Sequence, residues 1–392
     1  MGVVEKRLQV YLKNKTHIGR GFSIQDTLAI KLKSGDIPIP DNHTFFLDTL
    51  KMESNNFCQT ELRKMIVLNE PESKFESFLN KMIIKYIPKI YLEDFKQSIN
   101  QIENFMLPVS PKIIFISNQF SQLDYYRIWA SLKIKSGSKL VIGQHGGTYG
   151  TAKYHSIEKF EREVCDYFFT WGWKEDVKTI PISKLWSEKK LKIKKFDNKK
   201  KILFIDNEAA PYLTTFRSVE TSSQDKKMID RSLKLVERID NYEENVVIRL
   251  YPKSNFWHHD KIWKKKSPKI KIIKDKNMLK KSLNNYKLFI SCTNTTIFLE
   301  TLYHNVPTIL FLDEKISEIR DDAQKLFKLL IKNKILHYNI DSAVKHINKV
   351  INNVEEWWFN EKVQQSRELF CETFANEDIN KVNNFIKLRD NI

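Results

Sequence analysis

Four stretches hold residues of the types and spacings that chemistry needs. The first is VIGQHGGTYGTAKYHSIE at 141–158, where an apolar run enters a turn with Gly146, Gly147 and Gly150 around His145. Glycine admits positive φ and lets a ligand approach the backbone. A turn of this kind at the start of a crossover can aim N–H groups at an anion. His145 is placed to act as acid, base or phosphate donor, and His155 and Glu158 follow closely. Gln144, Gly146, Gly147 and Tyr149 are the residues of this turn expected to touch substrate. The second stretch, KILFIDNEAAPY at 201–212, ends an apolar run on Asp206, with Glu208 just behind. A carboxylate there serves as base or nucleophile, or simply caps the next turn.

The third stretch is RLYPKS at 249–254. Arg249 offers a bidentate fork for phosphate or carboxylate and Lys253 a point charge. The fourth, SCTNTTIFLE at 291–300, sets Ser291, Thr293, Asn294, Thr295 and Thr296 between an apolar run and a helical one. Hydroxyls and amides at a helix N-terminus satisfy its free N–H groups and make a phosphate site with the helix dipole. Capping needs one such residue and this stretch has several. Glu300, about a turn further on, is placed to accept from a ribose or a base.

These residues need strands and helices to position them. PKIIFIS (111–117), KLVIGQ (139–144) and DYFFTWGW (166–173) read as buried strands, and 73–88 and 121–136 as amphipathic helices. The alternation restarts at KILFID (201–206). Strands follow at 245–252, 269–273, 286–292 and 306–313, and helices at 224–239 and 295–305, before a mostly helical tail. Strands alternating with helices predict parallel sheets with crossover helices. The expected fold is α/β, with two Rossmann-like domains facing a cleft and a helical C-terminal tail. The lysine-dense segment around 188–201 reads as the link. It divides the chain into an N-terminal domain at 1–190, a linker at 191–200 and a C-terminal domain at 201–392. Ligands of such sheets bind at the carboxyl ends of the strands, where all four stretches fall.

Composition narrows the classes. The chain has 392 residues, 41% of them hydrophobic, so it is not disordered. No apolar run reaches the ~18 residues that span a bilayer. The N-terminus is too polar for a secretory signal, which implies a cytosolic chain. Cys58, Cys165, Cys292 and Cys371 are far apart, so thiols are expected rather than disulfides or zinc ligands. Only 10 glycines occur and none follows Gly172, so the second half holds no GxGxxG or Walker loop. The 66 basic against 48 acidic residues give +18. That excess points to an anionic partner (nucleic acid, nucleotide, acidic substrate or lipid surface) or to a lysine-rich solubilising surface.

QHGGTYG, Glu158, DYFFTWGW, RLYPKS, NTTIFLETLYHNVPTI and WWFNEKVQQSRELF follow one another in an order and spacing that resembles bacterial surface-polysaccharide (O-antigen and capsule) transferases of GT-B architecture related to the retaining β-Kdo glycosyltransferases. The resemblance spans residues 110–375. It implies transfer of Kdo from CMP-Kdo to a lipid-linked glycan. CMP would lie in the C-terminal domain on Arg249, Lys253, Ser291, Thr293, Asn294, Thr295, Thr296 and Glu300. A single donor phosphate implies no metal and no other cofactor. Retention by double displacement would use Asp206 as nucleophile and Glu158 as base, with Glu220 in reserve. Several relatives carry a His–Pro pair where this chain has Tyr251-Pro252-Lys253. The resemblance also implies work at the inner membrane face, docked on anionic lipid or on other polysaccharide-assembly enzymes, without nucleic acid. The alternatives are a CDP-glycerol-type glycerophosphotransferase, with His145 as base, and a nucleic-acid-binding protein.

Overall fold

The computed structural model describes residues 12–38, 57–103, 107–117, 120, 123–185, 197–251, 256–274 and 279–391. It carries two parallel sheets of Rossmann type and a helical C-terminal region, as expected. Two compact units divide the chain: residues 1–143 with 382–392, and residues 144–381. Of the expected linker, 191–196 lies outside the described residues.

In the first unit β1 (Thr16–Ile18), β2 (Ile113–Ile116) and β3 (Lys139–Gly143) pair in parallel in that order. Between β1 and β2 run α1 (Ile24–Lys33), α2 (Thr60–Lys64), α3 (Lys74–Tyr86) and α4 (Phe95–Glu103), and α5 (Asp124–Lys135) crosses from β2 to β3. Every residue of β2 is buried. A strand covered on both faces needs no polar alternation, which explains the continuous IIFI.

The second unit begins with α6 (Ser156–Val164) and the parallel pair β4 (Tyr167–Thr170) and β5 (Thr179–Pro181). Six strands follow: β6 (Lys201–Ile205), β7 (Val246–Arg249), β8 (Lys271–Ile273), β9 (Tyr286–Ser291), β10 (Thr308–Phe311) and β11 (Leu336–His337). Their order in the sheet is β11-β10-β9-β6-β7-β8. The helices are α7 (Asp225–Val236), α8 (Tyr242–Asn245), α9 (His259–Lys266), α10 (Thr296–Tyr303), α11 (Gln324–Lys332), α12 (Ile340–Val350), α13 (Val354–Trp358) and α14 (Glu361–Phe374). The last helix is α15 (Lys381–Asp390), whose Phe385 meets Phe22 and Phe115 edge-on within the first unit.

Alternation along the central strands explains the helices on both faces. Ile202, Phe204, Leu288 and Ile290 pack with Ile229, Leu233 and Val236 of α7, Trp263 of α9 and Ile347 of α12. Leu203, Ile205 and Phe289 point the other way, into a core with Leu283 and Val306. Each such fully buried side chain contributes about 1.5–3 kcal/mol. The register sets Ile205 beside both Arg249 and Ser291. Asp206, Arg249 and Ser291 therefore reach the carboxyl edge of the sheet together.

Candidate active site

Asp206 follows β6, and its N–H donates to the Arg249 carbonyl at 3.0 Å. Its side chain sits in a buried triad. His259 Nδ1 lies 2.9 Å from Asp206 Oδ2 and His259 Nε2 lies 2.9 Å from Asp225 Oδ2. Trp263 Nε1 donates to the same Asp206 oxygen at 2.8 Å, and Asp225 Oδ1 accepts from Ala209 N–H at 2.7 Å. Burial alone would lower the pKa of His259, but the two carboxylates outweigh it and hold it up at about 10. An imidazolium clamped between two carboxylates is what results at neutral pH.

The glycine turn lies in the same unit. Gln144 is fully buried and all its polar groups work within the protein. Its Oε1 accepts from Trp171 N–H and Trp173 Nε1, and its Nε2 donates to the Gly146 carbonyl. His145 is half-buried at the head of a hydrogen-bonded chain. The Tyr149 hydroxyl lies 3.1 Å from His145 Nδ1 and 2.8 Å from Glu161 Oε2. Burial, then the Arg217 charge, lower the His145 pKa to about 4. Burial raises that of Glu161, which is fully buried, to about 8. A neutral imidazole is thus joined through a phenol to a carboxyl that titrates near neutrality. His155 takes an unusual place, capping α6 by accepting Glu158 N–H on Nδ1 at 3.0 Å.

Two isolated antiparallel bridges join this segment to loops of the six-stranded sheet. Ala152 pairs with Ile319, and His155 with Arg217. Gly147 meets the first turn of α10 so closely that an added Cβ would lie 2.4 Å from Thr295 C and Thr296 N. Backbone on that side cannot give way. Gly147→Ala is expected to cost about 1–3 kcal/mol, read as a lowered thermal midpoint with the loss of any ligand affinity at α10. Asn294 bridges the same junction, donating from Nδ2 to Thr151 Oγ1 at 3.0 Å.

At α10 the N-cap is Thr295, and its side chain makes no capping bond. Instead the Thr293 and Thr295 hydroxyls lie 3.1 Å apart, and Ser291 Oγ donates to the Thr293 carbonyl. The Phe298 N–H turns back to the Thr295 carbonyl at 3.1 Å, while the N–H groups before it in the first turn have no intrahelical acceptor. This end of α10 is therefore a donor-rich surface beside the glycine turn.

The two carboxylates expected to be catalytic are both buried and hydrogen-bonded. Asp206 is 4% exposed and its Oδ2 already serves His259 and Trp263. It is a member of the buried triad. Glu158 is 5% exposed, with Oε2 accepting Gly150 N–H at 2.9 Å and Oε1 3.4 Å from Arg320 Nη1. Burial still raises its pKa against these partners, but its bonds tie the turn to α6 and Arg320. Glu220, 8% exposed, accepts from Asn207 Nδ2 at 2.6 Å, and burial raises its pKa. Tyr149 is 2% exposed, with its hydroxyl between His145 and Glu161. Gly146 and His145 remain half-buried. Arg249 and Ser291 are buried at the sheet edge, and Thr293, Thr295, Thr296 and Glu300 are half-buried around α10. Lys253 lies outside the described residues.

Sequence reasoning missed Glu161, His259, Arg217 and Arg320. One signal was available for the first: Glu158 and Glu161 are three residues apart, which puts them on neighbouring positions of a helix. Beside the glycine turn an open cavity of about 990 Å³ is lined by Glu158, Arg162, Arg320, Lys153, Tyr154 and Phe216, among others. Among the described residues no group of three or more His, Cys, Asp or Glu is placed to hold a metal ion.

Among curated proteins none matches the chain. Solved structures similar to it include MurG of Acinetobacter baumannii, at 9% identity over 96% of this chain and 98% of that one, TM-score 0.45. S. aureus MnaA, solved with UDP, is 11% identical over 74% and 77%, TM-score 0.42. Anabaena HepE, solved with UDP-glucose, is 9% identical over 76% and 81%, TM-score 0.44. The sequence profile of one family, described as LIC12162 family transferase, matches residues 4–388. The match takes in the first hundred residues, and the chain belongs to the LIC12162 transferase family.

Proposed function

We propose that the chain is a glycosyltransferase that takes its sugar from a nucleotide-activated donor. The observation that carries this reading is the N-terminus of α10, where hydroxyls without capping duties and first-turn N–H groups adjoin the glycine turn. The donor phosphate is assigned to this end of α10, with Arg249 and Ser291 at the neighbouring strand ends and Glu300 toward the nucleoside. His145 takes the proton from the acceptor hydroxyl. The acceptor oxygen then bonds to the anomeric carbon as the sugar–phosphate bond breaks, and the nucleotide leaves with the electron pair. A proton passes on from His145 to the Tyr149 oxygen as the Tyr149 hydroxyl proton moves to the ionised Glu161 carboxylate. Asp206 and Glu158 keep the structural duties their bonds support. The reaction is thus drawn as one displacement rather than two.

The finer reading is that the donor is CMP-Kdo and the acceptor a lipid-linked surface glycan. It rests on the resemblance of the motifs around the glycine turn and α10. A donor with one phosphate suits a single helix N-terminus without a glycine-rich loop. The half-buried His145 also suits a phosphotransferase using CDP-glycerol, so the assay includes it.

The test is nucleotide release from CMP-Kdo, CDP-glycerol and UDP-sugars by the purified chain, together with CMP binding by calorimetry. CMP-Kdo turnover is expected. A Thr295→Val, Thr296→Val double variant is expected to bind CMP at least about tenfold more weakly, the worth of one lost hydrogen bond to a charged group. Turnover of CDP-glycerol alone would replace the sugar donor. CMP binding unchanged in the double variant would overturn the site.

A further inference from the structure

Helix α3 is built the wrong way round for a soluble protein. Its sequence is KFESFLNKMIIKY, it is capped by Ser73, and none of its residues is buried. Phe75, Phe78, Leu79, Ile83 and Tyr86 are 67%, 54%, 38%, 46% and 66% exposed. Spacings of three and four residues put these side chains on one face. Of the half-buried residues, Ser77, Asn80 and Ile84 share the opposite face and Met82 lies on the apolar one. The helix thus turns its mainly polar face inward and its aromatic face outward. An ordinary surface helix does the reverse.

The inversion is held in place. Arg63, 6% exposed, donates from Nη1 to the Ile84 and Lys85 carbonyls at 3.0 and 2.9 Å and from Nη2 to Ile87 O at 2.9 Å. Its Nε pairs with Glu93 at 2.7 Å, and that hydrogen bond lowers the Glu93 pKa to about 2. Asn80 Nδ2 donates to Asn69 O at 3.0 Å. The last turn of α3 is therefore held by a buried guanidinium.

Charge identifies the occupant. Lys74, Lys81 and Lys85 are exposed and recur at seven and four residues, forming one stripe along the edge of the apolar face. Glu76 is the sole acidic residue of the helix. Large apolar side chains with a lysine border are the features of a helix that lies in the interface of an anionic bilayer. We propose that α3 docks the protein on an anionic membrane surface, with Phe75, Phe78, Leu79, Ile83 and Tyr86 entering the headgroup–acyl boundary and the three lysines pairing with lipid phosphates. The proposal specifies the element and does not depend on the glycosyl-transfer reading.

The test is co-flotation of the full chain with vesicles of phosphatidylcholine alone or with about 30 mol % phosphatidylglycerol. The chain is expected to float with the anionic vesicles and to be released by salt. Phe75→Ser, Phe78→Ser, Tyr86→Ser in one chain is expected to weaken flotation at least about tenfold. Lys74→Gln, Lys81→Gln, Lys85→Gln is expected to abolish the preference for anionic lipid. Both variants change exposed positions, so thermal midpoint and release of nucleotide from soluble donor should stay at wild-type values. Equal flotation of the serine variant, or no flotation of the wild type on anionic vesicles, would overturn the proposal. So would a dimer in solution that the serine variant dissociates, since the face would then be covered by a second copy.

Discussion

His145→Ala is expected to lower kcat by about 10²–10⁴, the usual contribution of a positioned general base, with KM for the donor little changed. The controls lie in the chain behind it. Tyr149→Phe removes the hydroxyl that lies 3.1 Å from His145 and 2.8 Å from Glu161. Glu161→Gln keeps an acceptor for Tyr149 but cannot take a proton. Both should lower kcat while leaving CMP binding intact. With the Glu161 pKa up at about 8 and that of His145 down at about 4, the relay accepts protons best once Glu161 ionises. Activity should therefore rise with pH through about 8, and the rise should vanish in Glu161→Gln. The groups that share this field are Glu158, His155 and Arg217. Wild-type turnover in His145→Ala would remove His145 from the chemistry.

The largest expected effect on stability is at the triad. His259→Leu leaves Asp206 and Asp225 buried without their shared partner. Breaking a buried ionic group in this way costs about 3–5 kcal/mol, measurable by urea unfolding at neutral pH. In the wild type the sign is opposite to ordinary acid unfolding. A histidine whose folded pKa is about 10 against about 6.5 unfolded binds its proton more tightly in the native state. Its contribution is complete below about pH 6.5 and is lost as pH rises through about 10. Glu161, raised to about 8 by burial, gives a loss of the same sign, from its ordinary carboxylate range up to about 8. The urea midpoint should fall steadily from pH 7 to pH 10. A flat midpoint over that range would mean that His259 is neutral in the folded protein.

Much of the framework was legible in the chain. The apolar runs at 113–116, 139–143, 201–205, 246–249, 286–291 and 308–311 are the strands read from the sequence, because a strand buried on both faces is written as a continuous apolar run. The helices over 74–86, 124–135, 225–236 and 296–303 also follow their periodicity. Strands β1, β5 and β11, two or three residues long, were not read from the sequence. Helix α6 escaped because its N-cap is a histidine, outside the usual Ser, Thr, Asp and Asn.

The amino-acid sequence by itself determined where the scarce glycines and the hydroxyl cluster fall, both at strand ends, because turn and cap chemistry is local. It did not determine what those residues do. Gly147 needs to be glycine because of backbone at Thr295 and Thr296, far along the chain. Asp206 reads as a free carboxylate until His259 and Trp263 are folded against it. Glu161 looks like one more acidic residue until burial raises its pKa beside Tyr149. Burial and long-range partners set the desolvation and hydrogen bonding that decide a carboxyl group's role, and only the tertiary structure supplies them.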